Sequence, residues 1–387
     1  MDYLKMTSNF KIINKEFKTA LNKLKYPDSW FWCRYTINPY SGCAHTCIYC
    51  DARSQRYYLN QDFEREVIVK TNMDKILDKR IKNSRTLLPD VIGPGGVCDA
   101  YQPIELEVEN TLKILKVIEK HRFPVNIATK SDLIIRDAEI LNRIAKDTWC
   151  TVGFSITTMN EELAQFLEPH SSSPKERLAA LSQIKKKAPN VQVGTYFMPI
   201  IPFLEDTDEN LDAVIKKSKE AGADFIIFSP GLTLRDAQAD FFFKKLKESK
   251  YNHVVKPLLN LYKGQLSPPK DYVDNMYQKL LALCQKYEVA VKVKRWIPKD
   301  YRKWNYKISE LLLVKDYMDK LTSGKSNKSF YWAGLHLNNL EESIINVYKR
   351  GELVTLKNFN SKVIKFVEPY LKRSKEMNEK TGMDKFI

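Results

Sequence analysis

Three cysteines fall within one short stretch, Cys43-Ala-His-Thr-Cys47-Ile-Tyr-Cys50. Thiolates are soft ligands, and three of them on one loop can bind three irons of a cubane. Ordinary [4Fe–4S] sites use four cysteines. With only three at hand, one iron is left open to a ligand from outside the protein. The competing reading is zinc, held by the same cysteines with His45. Structural zinc draws a second pair of ligands from a distant segment, and no such pair is visible here. Of the other cysteines, Cys33, Cys150 and Cys284 read as core residues. Seven cysteines in all, three of them crowded together, do not resemble a secreted disulfide framework. They point to a reducing, cytoplasmic setting.

The loop needs a scaffold, and hydrophobic patterning supplies one. Candidate strands are Cys33–Ile37, Val91–Gly93, Val125–Thr129, Thr151–Ile156, Val191–Phe197 and Phe225–Ser229, several of them short, apolar and β-branched. Strands of this kind are buried on both faces. Between them lie helical patterns at Glu107–His121, Ala138–Ala145, Pro174–Lys187 and Glu209–Ala221. In the first, Val108, Leu112, Leu115 and Ile118 share one face. Strand–helix alternation repeated about six times predicts an α/β fold with a parallel sheet, open or curled into a barrel. The cysteine loop then follows the first strand, at the end where barrel enzymes build their sites. The turn Pro39-Tyr-Ser-Gly42 leads into it.

After Pro230 the pattern changes. Helices are predicted at Asp236–Ser249, Tyr272–Tyr287, Leu311–Leu321, Leu340–Tyr348 and Val363–Met377, with one further strand at Val291–Trp296. The implied division is an N-terminal extension over 1–28, a core over 29–235, and a mostly helical, basic extension over 236–387. No internal repeat is visible. The chain has 387 residues and a net charge of +16. Met1–Phe243 is nearly neutral at +1, whereas Lys244–Ile387 carries +15. That asymmetry suggests a polyanionic partner, against a plain lysine-rich solvated surface. Within it, Arg295, Arg302 and several lysines alternate with Trp296, Tyr301, Trp304 and Tyr306, a mixture suited to phosphates and unstacked bases. No apolar run reaches membrane-spanning length, and the N-terminus lacks the apolar centre of a signal peptide.

Several stretches together resemble a known family. They are Asn38-Pro-Tyr-Ser-Gly-Cys-Ala-His-Thr-Cys-Ile-Tyr-Cys-Asp-Ala-Arg53, Asp99-Ala-Tyr-Gln-Pro-Ile-Glu105, Thr129-Lys-Ser-Asp-Leu-Ile-Ile-Arg-Asp137, Ser155-Ile-Thr-Thr158, Leu167-Glu-Pro-His170 with Arg177, and Pro199-Ile-Ile-Pro202. The chain is similar to the radical S-adenosylmethionine (SAM) proteins grouped with spore photoproduct lyase, the DNA repair photolyase-like family. The resemblance runs from about Tyr35 to Ser229. It implies a partial (β/α)6 barrel, a [4Fe–4S] cluster on Cys43, Cys47 and Cys50, and SAM bound at the open iron. Reductive cleavage of SAM would then make a 5′-deoxyadenosyl radical that abstracts hydrogen from substrate.

By position, the resemblance implies that Lys130 pairs with the SAM carboxylate and that Ser155 contacts SAM. Gly95 and Gly96 would let backbone approach the methionine amino group, and Tyr49 would lie against the adenine. Asp99, Tyr101, Gln102 and Glu105 follow and could face the pocket. Glu168 and Arg177 read as a structural ion pair. The implied partners are a nucleic-acid base or lesion and an electron donor such as a flavodoxin or ferredoxin. Where relatives carry a threonine, this chain has Cys98, either a packing residue or a thiol that returns a hydrogen atom. Two other readings stay open: radical modification of a peptide, and a non-catalytic iron–sulfur or zinc protein that contacts nucleic acid.

Overall fold

The computed structural model of the chain describes residues 10–57, 62, 63 and 65–376. Its main sheet has six parallel strands: β1 (Tyr35–Ile37), β2 (Ile92–Pro94), β3 (Val125–Thr129), β4 (Cys150–Ser155), β5 (Gln192–Ile200) and β6 (Phe225–Pro230). They pair in sequence order, β1 to β6, with a short antiparallel strand, Asn22–Lys23, on the β1 edge. Every residue of β4 is buried, as expected of a strand covered by helices on one face and by the barrel interior on the other. Gly153 in β4 makes room for the Tyr196 ring of β5, since a Cβ there would sit 2.1 Å from it. The Tyr196 hydroxyl in turn meets Asn126 of β3, whose Nδ2 donates to it over 3.1 Å.

Helices Met73–Asn83, Asn110–Lys120, Ala138–Asp147, Pro174–Lys187 and Asp208–Glu220 fill the crossovers. Together with the sheet they form a partial (β/α)6 barrel. The helix predicted from Glu107 is broken at Glu109, whose φ is 53°. The break lets the Glu105 carboxylate accept N–H bonds from Thr111 (2.8 Å) and Leu112 (3.3 Å). A carboxylate is favourable at a helix N-terminus. Periodicity did not reveal a small second sheet, in which Glu66–Lys70 pairs with Lys11–Lys15 and with Tyr40–Ser41. It anchors the residues just before the first cysteine.

Two compact units emerge, and they divide at Lys294/Arg295 rather than near 235. One contains residues up to Lys23 and Cys33–Lys294, the other Leu24–Trp32 and the chain from Arg295 onward. The segment after 235 stays with the barrel because Leu232, Leu234, Phe242, Leu246, Val254 and Leu258 share a core with Ile48 and Tyr49. The strand expected at Val291–Trp296 does not form, apart from a single bridge between Ala290 and Phe225. Side chains take its hydrogen bonds instead. Gln192 pairs both ways with the Lys294 backbone, and Trp149 donates to the Lys294 carbonyl.

The C-terminal unit is helical as predicted. Lys303–Ser323, Lys328–Leu337, Ile344–Lys349 and Ser361–Glu376 enclose Ile308, Leu312, Phe330, Ala333, Val363 and Val367. Among the described residues, no helix is long and apolar enough to cross a membrane.

Candidate active site

The cysteine loop leaves the sheet after β1, and the fold ties it down from several sides. Gln102, fully buried, accepts the Ala44 N–H through Oε1 (2.8 Å) and donates through Nε2 to the Gly42 carbonyl (3.2 Å). The Ile48 N–H donates to the Leu167 carbonyl. Arg53 donates to the Thr46 and Cys47 carbonyls and lies over the Phe63 and Phe241 rings. Gln238 donates to the Tyr49 carbonyl, and Ser54 donates to the Asp236 carboxylate. Asp236, Gln238 and Phe241 are supports that sequence reasoning missed. Each meets a partner over 180 residues earlier in the chain, a separation at which neither spacing nor periodicity carries a signal.

The loop, the segment after β2 and the ends of β3 and β4 surround one cavity of about 230 Å³. Its wall includes Cys43, His45, Cys47, Cys50, Gly95, Gly96, Cys98, Asp99, Lys130 and Ser155. The three cysteines, both glycines, Cys98, Lys130 and Ser155 therefore come together around it.

Tyr49 does not line the cavity. It is buried, and its hydroxyl donates to Glu168, so the adenine contact expected of its ring is not supported. Asp99 does reach the cavity wall, but as a brace. Its oxygens accept from Thr129 Oγ1 (2.8 Å), the Tyr101 N–H (2.8 Å) and the Lys130 N–H (2.7 Å). Tyr101 and Glu105 point into structure. The Tyr101 hydroxyl donates to Asp137, and Glu105 accepts from Tyr40 and Arg136. Glu168 and Arg177 form the expected buried ion pair.

The basic aromatic segment departs most from expectation. Arg295 and Arg302 are buried; Arg295 lies over the Trp32 and Tyr306 rings and Arg302 pairs with Asp300. Tyr306 is buried edge-on against Trp296, and Trp304 packs on the helical core. Of its four aromatic rings, Tyr301 alone is exposed. The residues alternate because they build an interior, not because they present a row of stacking platforms.

Three thiols on one loop beside an open cavity fit an iron–sulfur cubane. Among the described residues, no three His, Cys, Asp or Glu side chains gather closely enough to hold one metal ion. A cubane spreads its thiolates over separate irons, so its ligands need not converge on one point. His45, which a zinc reading would recruit, has Nδ1 3.4 Å from Asp99 Oδ2.

Burial pushes the Cys43 and Cys50 thiols up, and Cys47 up to about 12. Loading of metal must therefore displace protons from them. Burial works against the Lys130 ammonium, but Cys47 and Glu168 more than offset this and raise it above its ordinary value. Asp99 is likewise buried, yet His45 and the Lys130 and Tyr101 N–H groups draw its carboxyl down to about 2.

Gly95 and Gly96 differ in kind. Gly95 has φ +85°, and a Cβ there would lie 2.7 Å from the Cys98 carbonyl. The fold itself needs that glycine. At Gly96 a Cβ would meet nothing closer than 3.8 Å, so the polypeptide would tolerate a side chain that the cavity would then have to accommodate.

A family model described as the radical SAM superfamily matches residues 37–214, the stretch that contains all of the cavity-lining residues named above. The chain belongs to the radical SAM superfamily. Relatives include the uncharacterized protein MJ0683 of Methanocaldococcus jannaschii, 34% identical over 205 residues, covering 52% of this chain and 73% of that protein. Another is the uncharacterized protein Rv2578c of Mycobacterium tuberculosis, 28% identical over 277 residues, covering 70% and 80%. Among solved structures, spore photoproduct lyase complexed with dinucleoside spore photoproduct matches with a TM-score of 0.56 at 15% identity. That match covers 74% of this chain and 81% of the other. At that identity the likeness concerns the radical SAM fold alone.

Proposed function

We propose that this chain is a radical SAM enzyme that holds a [4Fe–4S] cluster on Cys43, Cys47 and Cys50 and binds SAM in the adjoining cavity. The observation that carries this is the meeting of three thiols from one loop with Lys130, Ser155 and Gly96 around a single cavity. When bound, the cluster and SAM supply an electron and a 5′-deoxyadenosyl radical for hydrogen abstraction.

The chain's own residues do the positioning. Lys130 offers a charged donor to the SAM carboxylate, and Ser155 offers a hydroxyl at the end of β4. Gly96 leaves room for the methionine end, while Gln102 and Asp99 hold the surrounding backbone. Cys98 lines the same wall, and burial pushes its thiol up to about 12. It therefore keeps the S–H bond that a hydrogen-atom donor needs. The electron comes from a small carrier such as a flavodoxin or ferredoxin.

The substrate reading is a nucleic-acid base or lesion. It is supported by the excess of positive charge after residue 244 and by the fold shared with a lyase solved with a dinucleoside photoproduct. It no longer draws on the aromatic segment around Trp296.

The test is anaerobic reconstitution with iron and sulfide, then reduction in the presence of SAM. Formation of 5′-deoxyadenosine is expected, with loss in each of C43A, C47A and C50A. An intact cluster that yields none under reduction would overturn the enzyme reading. Binding to single- and double-stranded oligonucleotides that weakens with salt is expected. Absence of binding at low salt would overturn the substrate reading alone.

A further inference from the structure

Glu168 is almost fully buried, and it lies behind the cavity wall, next to Lys130, without lining the cavity. One carboxylate oxygen accepts the Tyr49 hydroxyl from the cysteine loop. The other is paired with Arg177. Arg177 also donates to backbone, with Nη1 bonded to the Ser155 carbonyl and Nε to the Ser172 carbonyl, each over 2.7 Å. The Ser172 N–H donates back to the Lys130 carbonyl. These two bonded partners fix the carboxylate in place.

The third neighbour is different. Lys130 Nζ lies 3.9 Å from Glu168 Oε1, beyond hydrogen-bond range. Among the described residues the ammonium makes no direct hydrogen bond, while its backbone N–H is held by Asp99. The side chain is 18% exposed, and the exposed part faces the cavity. A buried ammonium needs an anion nearby to stay charged, and Glu168 supplies one. Because the contact is long and Arg177 already satisfies the carboxylate, Lys130 keeps its donors for something in the cavity.

We infer that Glu168 is a positioning residue for SAM, acting through Lys130: it holds the lysine ammonium over the cavity, charged and unbonded, ready for the SAM carboxylate. This rests on the proposed SAM site and adds to it the residue that sets the lysine. A purely structural Glu168 would instead brace the cysteine loop through Tyr49 and leave Lys130 indifferent to it.

A double-mutant cycle separates the two roles, with SAM binding to the reconstituted, unreduced protein measured by calorimetry. E168Q keeps the shape and can still pair with both Tyr49 and Arg177, so it removes mainly the charge. E168Q is expected to weaken SAM binding about tenfold, as couplings between contacting residues allow. K130M is expected to weaken it at least as much. The double variant should bind no more weakly than K130M alone, since Glu168 has nothing left to act through. E168D, which keeps the charge but withdraws it by one methylene, should fall between wild type and E168Q, and it serves for the cycle if E168Q does not fold. Iron content and melting temperature are followed in every variant. Additive losses, or an E168Q that binds SAM like wild type, overturn the positioning role and leave the SAM site standing. A wild-type protein that loads the cluster but binds no SAM overturns both.

Discussion

Gln102 offers a direct test of how the fold holds the cysteine loop. Its side chain has no exposure, and it satisfies two backbone groups of the loop, the Ala44 N–H and the Gly42 carbonyl. Q102L keeps nearly the same volume but abandons both. A buried polar group left unpaired costs about 1–3 kcal/mol, so the pair amounts to roughly 2–6 kcal/mol. The strands of the barrel make their own hydrogen bonds, so the loss falls on the loop and favours its local opening. A loss of about 3 kcal/mol raises the population of opened loop by roughly a hundredfold. Transfer of cluster iron to a chelator, followed anaerobically by loss of visible absorbance, reports that population. Q102L should therefore release iron on the order of a hundred times faster than wild type, with only a few degrees of change in melting temperature. Q102E keeps the acceptor for Ala44 but sets an oxygen against the Gly42 carbonyl. It should release iron at a high rate near neutral pH and more slowly as acid protonates the new carboxyl. Release from Q102L within twofold of wild type would refute the idea that these two bonds hold the loop.

The two glycines after β2 should separate fold from ligand. G95A forces φ +85° on a residue with a Cβ only 2.7 Å from the Cys98 carbonyl and should destabilise the barrel by about 1–3 kcal/mol in denaturant titration. G96A should leave stability nearly unchanged and weaken SAM binding. The reverse pattern would place the tight backbone approach at the wrong residue. Asp99 should shape acid stability. Its carboxyl is held at about 2 against an ordinary 3.8, worth about 2 kcal/mol by linkage. Because the folded value is the lower one, this contribution is complete above about pH 4 and drains away as pH falls toward 2. D99N should flatten the stability–pH curve in that window; an unchanged slope would show that Asp99 is not the group involved. R295A removes a buried guanidinium bonded to the Tyr306 carbonyl and to Ser309 and Asn338, and should cost the C-terminal unit about 3 kcal/mol. Proteolysis should then become faster in that unit while iron loading is unaffected, and a loss of iron would contradict the division at Lys294.

Much of the barrel was legible because its signals are local. Several of the six strands are short, apolar and β-branched, and β3 matches its expected bounds at both ends. The helix Pro174–Lys187 also matches, because Ser173 and Glu176 form a capping box in front of Pro174. Failures occurred where a distant partner decides local structure. Glu109 breaks a helix that periodicity would continue, because the Glu105 carboxylate caps the piece that follows. The alternating Val291-Lys-Val-Lys stretch has a strand pattern, but Gln192 and Trp149 take the hydrogen bonds a neighbouring strand would use. The boundary near 235 misled because a change from strands to helices resembles a domain border. The helix after it nonetheless packs on the cysteine loop through Gln238 and Phe241.

The candidate site shows the same contrast between what a motif can and cannot encode. The three candidate thiol ligands lie on one loop, so three cysteines within eight positions announce themselves. Lys130 and Ser155 sit at strand ends, where a parallel barrel directs side chains to a common mouth, and topology alone brings them to the cavity. The residues that tune those groups follow no such rule. Glu168 reaches Tyr49 across 119 positions of sequence, and only the folded chain reveals that one carboxylate serves the loop, Arg177 and Lys130 together. Substrate recognition is harder still. Alternating cations and rings around Trp296 look like a nucleic-acid surface, yet a guanidinium between two aromatic rings is equally at home in an interior, and Arg295 takes that place between Trp32 and Tyr306. A polyanion would therefore have to be held by lysines scattered after residue 244 rather than by stacked bases. Scattered surface lysines give affinity that collapses with salt and little preference among sequences, so any selectivity for one base must come from the cavity beside the cysteines.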